Sequence, residues 1–226
     1  MIEYIFLVLF FVLAIIEVFG EFKDNNKIIY AFKPLLMPML ILFYIFGVIE
    51  ATGTVLSINW LIIVALIGGM FGDIFLMLKD EEKWFLFGMV AFLINQIFYI
   101  ISFFLSITSY AAFNPWVLFL LGPTLLILTF TVPRFLNKSG DMKIPVLVYM
   151  AAILLMHIAT VIRLSTIQGL ASIFIFIGSI SFIFSDSCIA VNKWAGEFAN
   201  ARLIIMTTYI MAQFYITLGV LIIALV

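Results

Sequence analysis

Residues 56–78 read LSINWLIIVALIGGMFGDIFLML, an apolar run in which Asp73 is the only charged residue. About 20 apolar residues in a helix cross the hydrocarbon core of a bilayer, which is roughly 30 Å thick. A carboxylate at the centre of such a helix opposes membrane insertion by about 2.5–3.5 kcal/mol. This stretch therefore predicts a transmembrane helix in which an acidic residue has been retained despite its cost.

Runs of the same kind fill the rest of the chain. The protein has 226 residues, of which 66% are hydrophobic and 10% are charged, whereas a soluble domain carries about 25% charged residues. We predict an all-α polytopic integral membrane protein whose residues 1–226 form a single transmembrane domain. Apolar runs bounded by charges and turn-forming residues predict eight transmembrane helices, at residues 2–20, 33–50, 56–78, 84–106, 115–133, 144–163, 169–191 and 203–225.

The basic residues between these runs predict the orientation in the membrane. Ten of the eleven Lys and Arg residues belong to the first, third, fifth and seventh breaks, and only Arg163 borders an even-numbered break. By the positive-inside rule the odd-numbered breaks are cytoplasmic, and both termini lie outside. We therefore expect a multi-pass protein of the cell membrane. The ten basic residues are Lys23, Lys27, Lys33, Lys79, Lys83, Arg134, Lys138, Lys143, Lys193 and Arg202.

Two similar tripeptides suggest an internal repeat. Phe71-Gly72-Asp73 and Phe184-Ser185-Asp186 are 113 residues apart, which is half the length of the chain. Lys33-Pro34 and Lys143-Ile144-Pro145 open the second and sixth runs in a similar way. An offset of four helices preserves orientation, so one interpretation is two parallel four-helix repeats. The alternative is chance, because apolar segments resemble one another by composition alone.

Several polar residues are predicted to lie at one depth in the membrane. Asp73 precedes Lys79 by six residues and Asp186 precedes Lys193 by seven, which places both carboxyls about 9–11 Å from the cytoplasmic border. A structural role is the alternative to a functional one, with Asp73 paired to Lys33 and Asp186 to Lys193 or Asn192. Further polar residues are predicted in the same half of the membrane: Asn95, Gln96, Tyr149, Tyr209 and Gln213.

The composition excludes several kinds of site. The chain has one His and one Cys, so a zinc site of the usual His and Cys ligands is disfavoured, and no cofactor or metal is expected. A net charge of −1 offers no basic surface for nucleic acid. We interpret His157 as a packing residue, and we expect Glu17 and Glu50, near helix ends, to reach water.

Two carboxyls at one depth favour acid–base chemistry. Burial and a neighbouring like charge can keep one of them protonated while the other is ionised, as general acid–base hydrolysis requires. A proton-coupled transporter would use the same pair, and it remains the main alternative. An intramembrane aspartyl protease and a scaffold without chemistry are further alternatives.

The pattern of these residues resembles the YhhN-type lysoplasmalogenases, a family of polytopic membrane hydrolases. The resemblance covers nearly the whole chain. This chain has Gln96 where the family pattern has a His three residues before Tyr99. The resemblance lies in Lys33-Pro34, Gly72-Asp73 with residues 74–78, Gly88, residues 92–99, Tyr149, Gly178 with Ser185-Asp186, Asn192, Tyr209 and Gln213.

This resemblance implies hydrolysis of the vinyl ether bond of a lysoplasmalogen to a fatty aldehyde and a glycerophospho-ethanolamine or -choline. Asp73 and Asp186 are the implied catalytic acid and base, with the assignment of each role left open. The expected partners are a lysophospholipid substrate and membrane lipid. The residues expected to bind the substrate are Lys33, Gln96, Tyr99, Tyr149, Asn192, Tyr209 and Gln213, with Lys33 meeting the phosphate.

Overall fold

The computed structural model describes residues 1–78, 81–107 and 109–225, and in this part of the chain the regular structure is entirely helical. The charged pair Lys79 and Asp80, which helped to define the third break, lies outside the described residues. The helices are α1 (Ile2–Phe22), α2 (Asn26–Thr52), α3 (Trp60–Leu76), α4 (Glu81–Leu105), α5 (Gly122–Phe135), α6 (Lys143–Thr166), α7 (Leu170–Ala190) and α8 (Ala201–Ala224).

The helices confirm an all-α polytopic membrane protein. Seven of the eight helical segments are long and apolar enough to cross a membrane, and α3 is shorter, with 17 residues. The fifth crossing segment includes a 3-10 turn, Pro115–Leu121, that leads into α5. Large apolar side chains remain exposed on these helices, such as Val8, Ile15 and Phe130. Such a surface suits lipid, because hydrocarbon does not penalise exposed apolar atoms as water does.

Short polar segments end the helices where the chain must turn. The Asn25 side chain caps α2 by accepting a hydrogen bond from the Lys27 backbone N–H, and Asn59 caps α3 in the same way. Gly53 follows α2 with φ of 70°, a left-handed conformation that suits glycine at a helix C-terminus. These caps supply partners for backbone groups that a helix terminus leaves unpaired.

The chain divides into two compact units. Unit 1 comprises Met1–Ser102 with Thr217–Val226, and unit 2 comprises Phe103–Ile216. Unit 1 therefore contains α1, α2, α3, most of α4 and the end of α8. The predictions of a single transmembrane domain and of a parallel repeat stay predictions.

Glycines set the helix packing within unit 1. A Cβ at Gly68 would lie 3.0 Å from the Ala91 carbonyl oxygen and from the Asn95 nitrogen, so α3 and α4 approach at backbone distance. The rings of Phe6 and Phe46 stack between α1 and α2, with 5.2 Å between their centroids. Small residues at helix crossings permit this close approach in membranes, where van der Waals contact is a main source of stability.

Unit 2 is held by polar contacts as well as by packing. The Arg163 side chain is only 1% exposed, and its Nε donates to the Ser106 hydroxyl at 2.9 Å while Nη1 donates to the Ser172 hydroxyl. The position of Arg163 in the last turn of α6 also places its charge beside the negative end of the helix dipole. Arg163 therefore joins α6 to α7 and to the segment that follows α4.

Candidate active site

Asp73 lies on the buried face of α3 and is 2% exposed. Its neighbour Gly72 contacts α4, since a Cβ at Gly72 would be 2.6 Å from the Phe92 ring. One turn away, a Cβ at Gly88 would lie 2.9 Å from a methyl group of Leu76. The small residues thus bring α3 and α4 together beside the carboxyl of Asp73.

Charged residues from α1 and α2 accompany Asp73 in unit 1. The Lys33 ammonium forms an ion pair with Glu21 across 3.9 Å. Glu17, one turn before Glu21 on α1, is completely buried. Its carboxyl interacts electrostatically with Lys33, which attracts its charge, and with Glu21 and Asp73, which repel it. We call these four residues the acidic cluster: Glu17, Glu21, Lys33 and Asp73.

The acidic cluster corrects one prediction. Glu17 was expected to reach water because the first run was predicted to end at residue 20. Since α1 continues to Phe22 and packs on α2, Glu17 lies inside the unit. Lys33 forms an ion pair with Glu21, and the pairing of Lys33 with Asp73 stays a prediction. Glu50 is exposed, as expected.

The α4 face predicted to be buried is buried. Asn95 donates from Nδ2 to the Ala65 carbonyl oxygen at 2.7 Å, and its side chain interacts with the hydroxyl of the fully buried Tyr99. Gln96 is also fully buried, yet neither its amide nitrogen nor its amide oxygen has a hydrogen-bond partner among the described residues. Asn95 therefore links α4 to α3, whereas the Gln96 amide has no such link among the described residues.

Asp186 of unit 2 has a direct polar partner. The Tyr149 hydroxyl of α6 donates a hydrogen bond to Asp186 Oδ2 on α7. The Asp186 side chain is partly exposed, in contrast to that of Asp73. A donated hydrogen bond stabilises a carboxylate in its ionised form, so this contact suits an anionic Asp186.

The site residues predicted on α8 lie beside α7, the helix that carries Asp186. The Tyr209 ring meets Phe182, one turn before Asp186, edge to face with 5.7 Å between centroids. Gln213 donates from Nε2 to the Tyr209 hydroxyl at 3.3 Å. The Ser185 hydroxyl donates to the Ile205 carbonyl oxygen at 2.9 Å. These contacts hold α7 and α8 in one arrangement next to Asp186.

Asn192 and His157 have local structural contacts. Asn192 lies in a π-helical turn, Val191–Ala195, and its Oδ1 accepts a hydrogen bond from the Phe198 backbone at 3.4 Å. His157 Nδ1 is 2.8 Å from the Ser179 hydroxyl, and its ring stacks on Phe176. Both contacts are internal to unit 2 and agree with the interpretation of His157 as a packing residue.

The predicted site residues divide between the two units. Asp73, Lys33, Gln96 and Tyr99 belong to unit 1, whereas Asp186, Tyr149, Asn192, Tyr209 and Gln213 belong to unit 2. Tyr149 meets Asp186, and Tyr209 meets Gln213, within unit 2. That the two aspartates share one site stays a prediction.

The sequence reasoning missed the participation of Glu17 and Glu21. The signal was their spacing: with Phe10 and Ala14 they follow one face of α1, and all four are buried. Acidic residues at helical spacing within an apolar face oppose membrane insertion, so they indicate that a polar partner lies opposite them. Even so, within the described residues no group of three or more His, Cys, Asp or Glu side chains is arranged to hold a metal ion.

Comparison with known proteins gives one match. The model of the YhhN family matches residues 28–220, which is most of the chain. Searches of curated proteins and of solved structures found no match. The matched range includes every site residue predicted from the sequence, and Glu17 and Glu21 precede it.

Proposed function

The chain belongs to the YhhN family, and on this premise we propose that it is a membrane-embedded lysoplasmalogenase. The reaction is hydrolysis of the vinyl ether bond of a lysoplasmalogen to a fatty aldehyde and a glycerophospho-ethanolamine or -choline. The observation that carries the proposal is a pair of aspartates within apolar helices, one buried at position 73 and the other bonded to Tyr149 at position 186. The proposal requires both carboxyls to reach one substrate molecule.

The chemistry of a vinyl ether suits an acid and a base. Protonation of the β-carbon of the alkene gives an oxocarbenium ion, and water adds to its carbon to form a hemiacetal. The hemiacetal then collapses to the aldehyde and releases the glycerol hydroxyl. General acid–base catalysis contributes about 10²- to 10⁴-fold to such proton transfers, and a nearby carboxylate stabilises the cation.

The surroundings of the two carboxyls favour different roles. Asp73 is only 2% exposed, and burial in an apolar environment favours the neutral, protonated form of a carboxyl. Asp186 accepts the Tyr149 hydroxyl proton in a hydrogen bond, which favours the anionic form. We assign Asp73 as the acid that protonates the alkene and Asp186 as the base that deprotonates the attacking water.

These roles return both carboxyls to their initial states. After the first two steps Asp73 is ionised and Asp186 is protonated. During collapse of the hemiacetal, Asp186 returns its proton to the departing glycerol oxygen, and Asp73 takes the proton of the hemiacetal hydroxyl. Water is the only co-reactant that is consumed. The remaining predicted residues would bind the substrate, with Lys33 meeting the phosphate and Gln96, Tyr99, Asn192, Tyr209 and Gln213 orienting the headgroup or water.

Aldehyde release tests this proposal. Purified protein in detergent is given lysoplasmenylethanolamine, with the saturated alkyl ether analogue as a substrate that cannot be protonated at an alkene. We expect aldehyde from the vinyl ether alone, and a loss of about 10²-fold or more in kcat for Asp73→Asn and for Asp186→Asn. Asp141→Asn, which changes an exposed acid in the short 3-10 turn before α6, serves as the control and should retain full activity.

Two results would contradict the proposal. One is wild-type protein that releases no aldehyde from ethanolamine or choline substrates at any pH. The other is full activity in either folded aspartate variant. Wild-type protein that releases no aldehyde could instead carry protons together with a solute across the liposome membrane. If Asp73→Asn abolishes that flux, the transporter interpretation replaces the hydrolase.

A further inference from the structure

The acidic cluster of unit 1 brings several carboxyls together inside apolar helices. Three carboxyls and one ammonium group interact there. Lys33 is already paired with Glu21. Buried charge without compensation is costly, since the free energy of hydration is lost and must be replaced by an opposite charge or by hydrogen bonds.

Glu17 is the residue whose hydrogen bonding is incomplete. Its side chain is 0% exposed, and neither carboxylate oxygen has a hydrogen-bond partner among the described residues. A proton on Glu17 would remove the charge, and the neighbouring Glu21 carboxyl could accept that O–H, but the other Glu17 oxygen would still lack a donor. A ligand that brings both positive charge and hydrogen-bond donors would satisfy both oxygens.

A second unsatisfied group lies in the same unit. Both amide atoms of Gln96, on α4, are buried without a hydrogen-bond partner among the described residues. Native proteins leave few buried polar groups unsatisfied, and each such group needs an explanation. Gln96 and Glu17 come from different helices of unit 1, and both have buried acceptor oxygens without a partner among the described residues.

We propose that Glu17 binds the primary ammonium group of an ethanolamine headgroup and makes the protein selective for ethanolamine over choline. This inference rests on the proposed function, because it assigns the headgroup of that substrate. A primary ammonium offers three N–H donors to carboxylate oxygens, whereas the trimethylammonium group of choline offers none. Lys33, in the same cluster, would face the adjacent phosphate, so the charges of the zwitterionic headgroup match those of the cluster.

The position of Glu17 agrees with a role in selectivity. It lies on α1, before the residues that the family model matches, whereas Asp73 lies within them. Gly20, one turn after Glu17, contacts Ile28 and Ile29, so α1 packs closely on the start of α2. The chain thus adds a carboxyl from α1 to a site whose catalytic acid is on α3.

The experiment compares three lysoplasmenyl substrates that differ only in the headgroup: phosphoethanolamine, phosphocholine and phosphoglycerol. We expect wild-type protein to favour ethanolamine, and Glu17→Gln to raise KM for ethanolamine roughly tenfold while kcat changes little. The glycerol substrate, which carries no ammonium, should keep its KM within about twofold. Glu50→Gln removes an exposed carboxyl of α2 in the same unit and should leave all three KM values unchanged.

A binding measurement separates this inference from the proposed hydrolase activity. The alkyl ether lysophosphatidylethanolamine and lysophosphatidylglycerol, which lack the alkene, are titrated into protein in detergent with tryptophan fluorescence as the readout. Selective loss of ethanolamine lipid binding in Glu17→Gln supports the inference even if no aldehyde is ever released. Equal affinity of wild-type protein for the two lipids overturns it even if hydrolysis is observed.

Further outcomes are equally decisive. If Glu17→Gln loses activity equally on all three headgroups, Glu17 serves proton transfer or packing, and the inference is overturned. Unchanged KM values in Glu17→Gln would also overturn it. Should that variant fail to fold, Glu17→Asp keeps the charge on a side chain shorter by one methylene, and we expect an intermediate KM for ethanolamine. If neither variant folds, the headgroup preference of wild-type protein decides alone, and absence of an ethanolamine preference overturns the inference.

Discussion

The polar groups of unit 1 and unit 2 are satisfied in different ways. In unit 1, Asp73 interacts electrostatically with the buried carboxyl of Glu17. The carboxylate oxygens of Glu17 and the amide of the buried Gln96 lack hydrogen-bond partners among the described residues. In unit 2, Asp186 accepts from Tyr149, and Gln213 donates to Tyr209. The comparison teaches that the candidate-site side chains of unit 2 bond to one another, whereas Glu17 and Gln96 of unit 1 are costly until something binds them. Outside the candidate site, Thr124 Oγ1 and His157 Nε2 of unit 2 also lack partners among the described residues.

The largest effect expected from this comparison concerns the Tyr149–Asp186 hydrogen bond. Tyr149→Phe removes the donor and leaves the ring, so we expect kcat to fall about 10- to 100-fold as Asp186 loses stabilisation of its anion. The effect should vanish in an Asp186→Asn background, since the two residues act as one unit. Aldehyde release by the single and double variants measures this coupling.

The control for this variant is Tyr215→Phe on α8. Tyr215 stacks on Phe174, and we expect its hydroxyl to contribute nothing to the rate. If Tyr149→Phe retains full activity, or if its effect persists without Asp186, the hydrogen bond does not serve catalysis. The assignment of Asp186 as the base would then lose its support.

The next effect concerns close packing in the two units. A Cβ at Gly178 would lie 2.8 Å from the Ala212 backbone oxygen, whereas a Cβ at Gly72 would meet the side chain of Phe92. A ring can shift more easily than a backbone, so Gly178→Ala should lower the free energy of unfolding by about 1–3 kcal/mol, and Gly72→Ala should cost less. Thermal unfolding in detergent measures both. A larger loss of unfolding free energy in Gly72→Ala than in Gly178→Ala would contradict this prediction. Gly122→Ala is the control, because a Cβ at Gly122 meets no neighbouring atom.

The smallest effect tests hydrogen-bond satisfaction directly, with the same substitution in each unit. Gln213→Leu breaks the bond to the Tyr209 hydroxyl and should destabilise the protein by about 1 kcal/mol. Gln96→Leu removes an amide that has no partner among the described residues, so stability should be unchanged or raised. Melting temperatures of the two variants give the comparison. Equal destabilisation by both would mean that Gln96 is as well satisfied as Gln213.

Much of the fold could be predicted because membrane insertion depends on composition and length. The predicted third run, 56–78, contains α3, and the predicted eighth run, 203–225, nearly coincides with α8. The start of α2 was predicted seven residues late, since Lys27 and Lys33 were interpreted as part of a break. The cap at Asn25 starts the helix earlier, and the ion pair with Glu21 accommodates Lys33 within it.

Less of the candidate site could be predicted. Helical periodicity correctly indicated that Phe92, Asn95, Gln96 and Tyr99 share a buried face of α4. It could not indicate which of them bonds to the protein, because that depends on the helix opposite. Asn95 finds the Ala65 carbonyl, while its neighbour Gln96 finds no partner among the described residues.

The sequence by itself determined the membrane class, the approximate helices and the presence of acids within apolar runs. Each of these follows from the cost of placing polar groups in hydrocarbon, which acts on every segment separately. Only the tertiary structure decided that Tyr149 bonds to Asp186, that Lys33 pairs with Glu21, and that Glu17 is buried near Asp73. Those contacts depend on how far each helix extends and which face it turns toward its neighbour, and residues distant in sequence set both through packing.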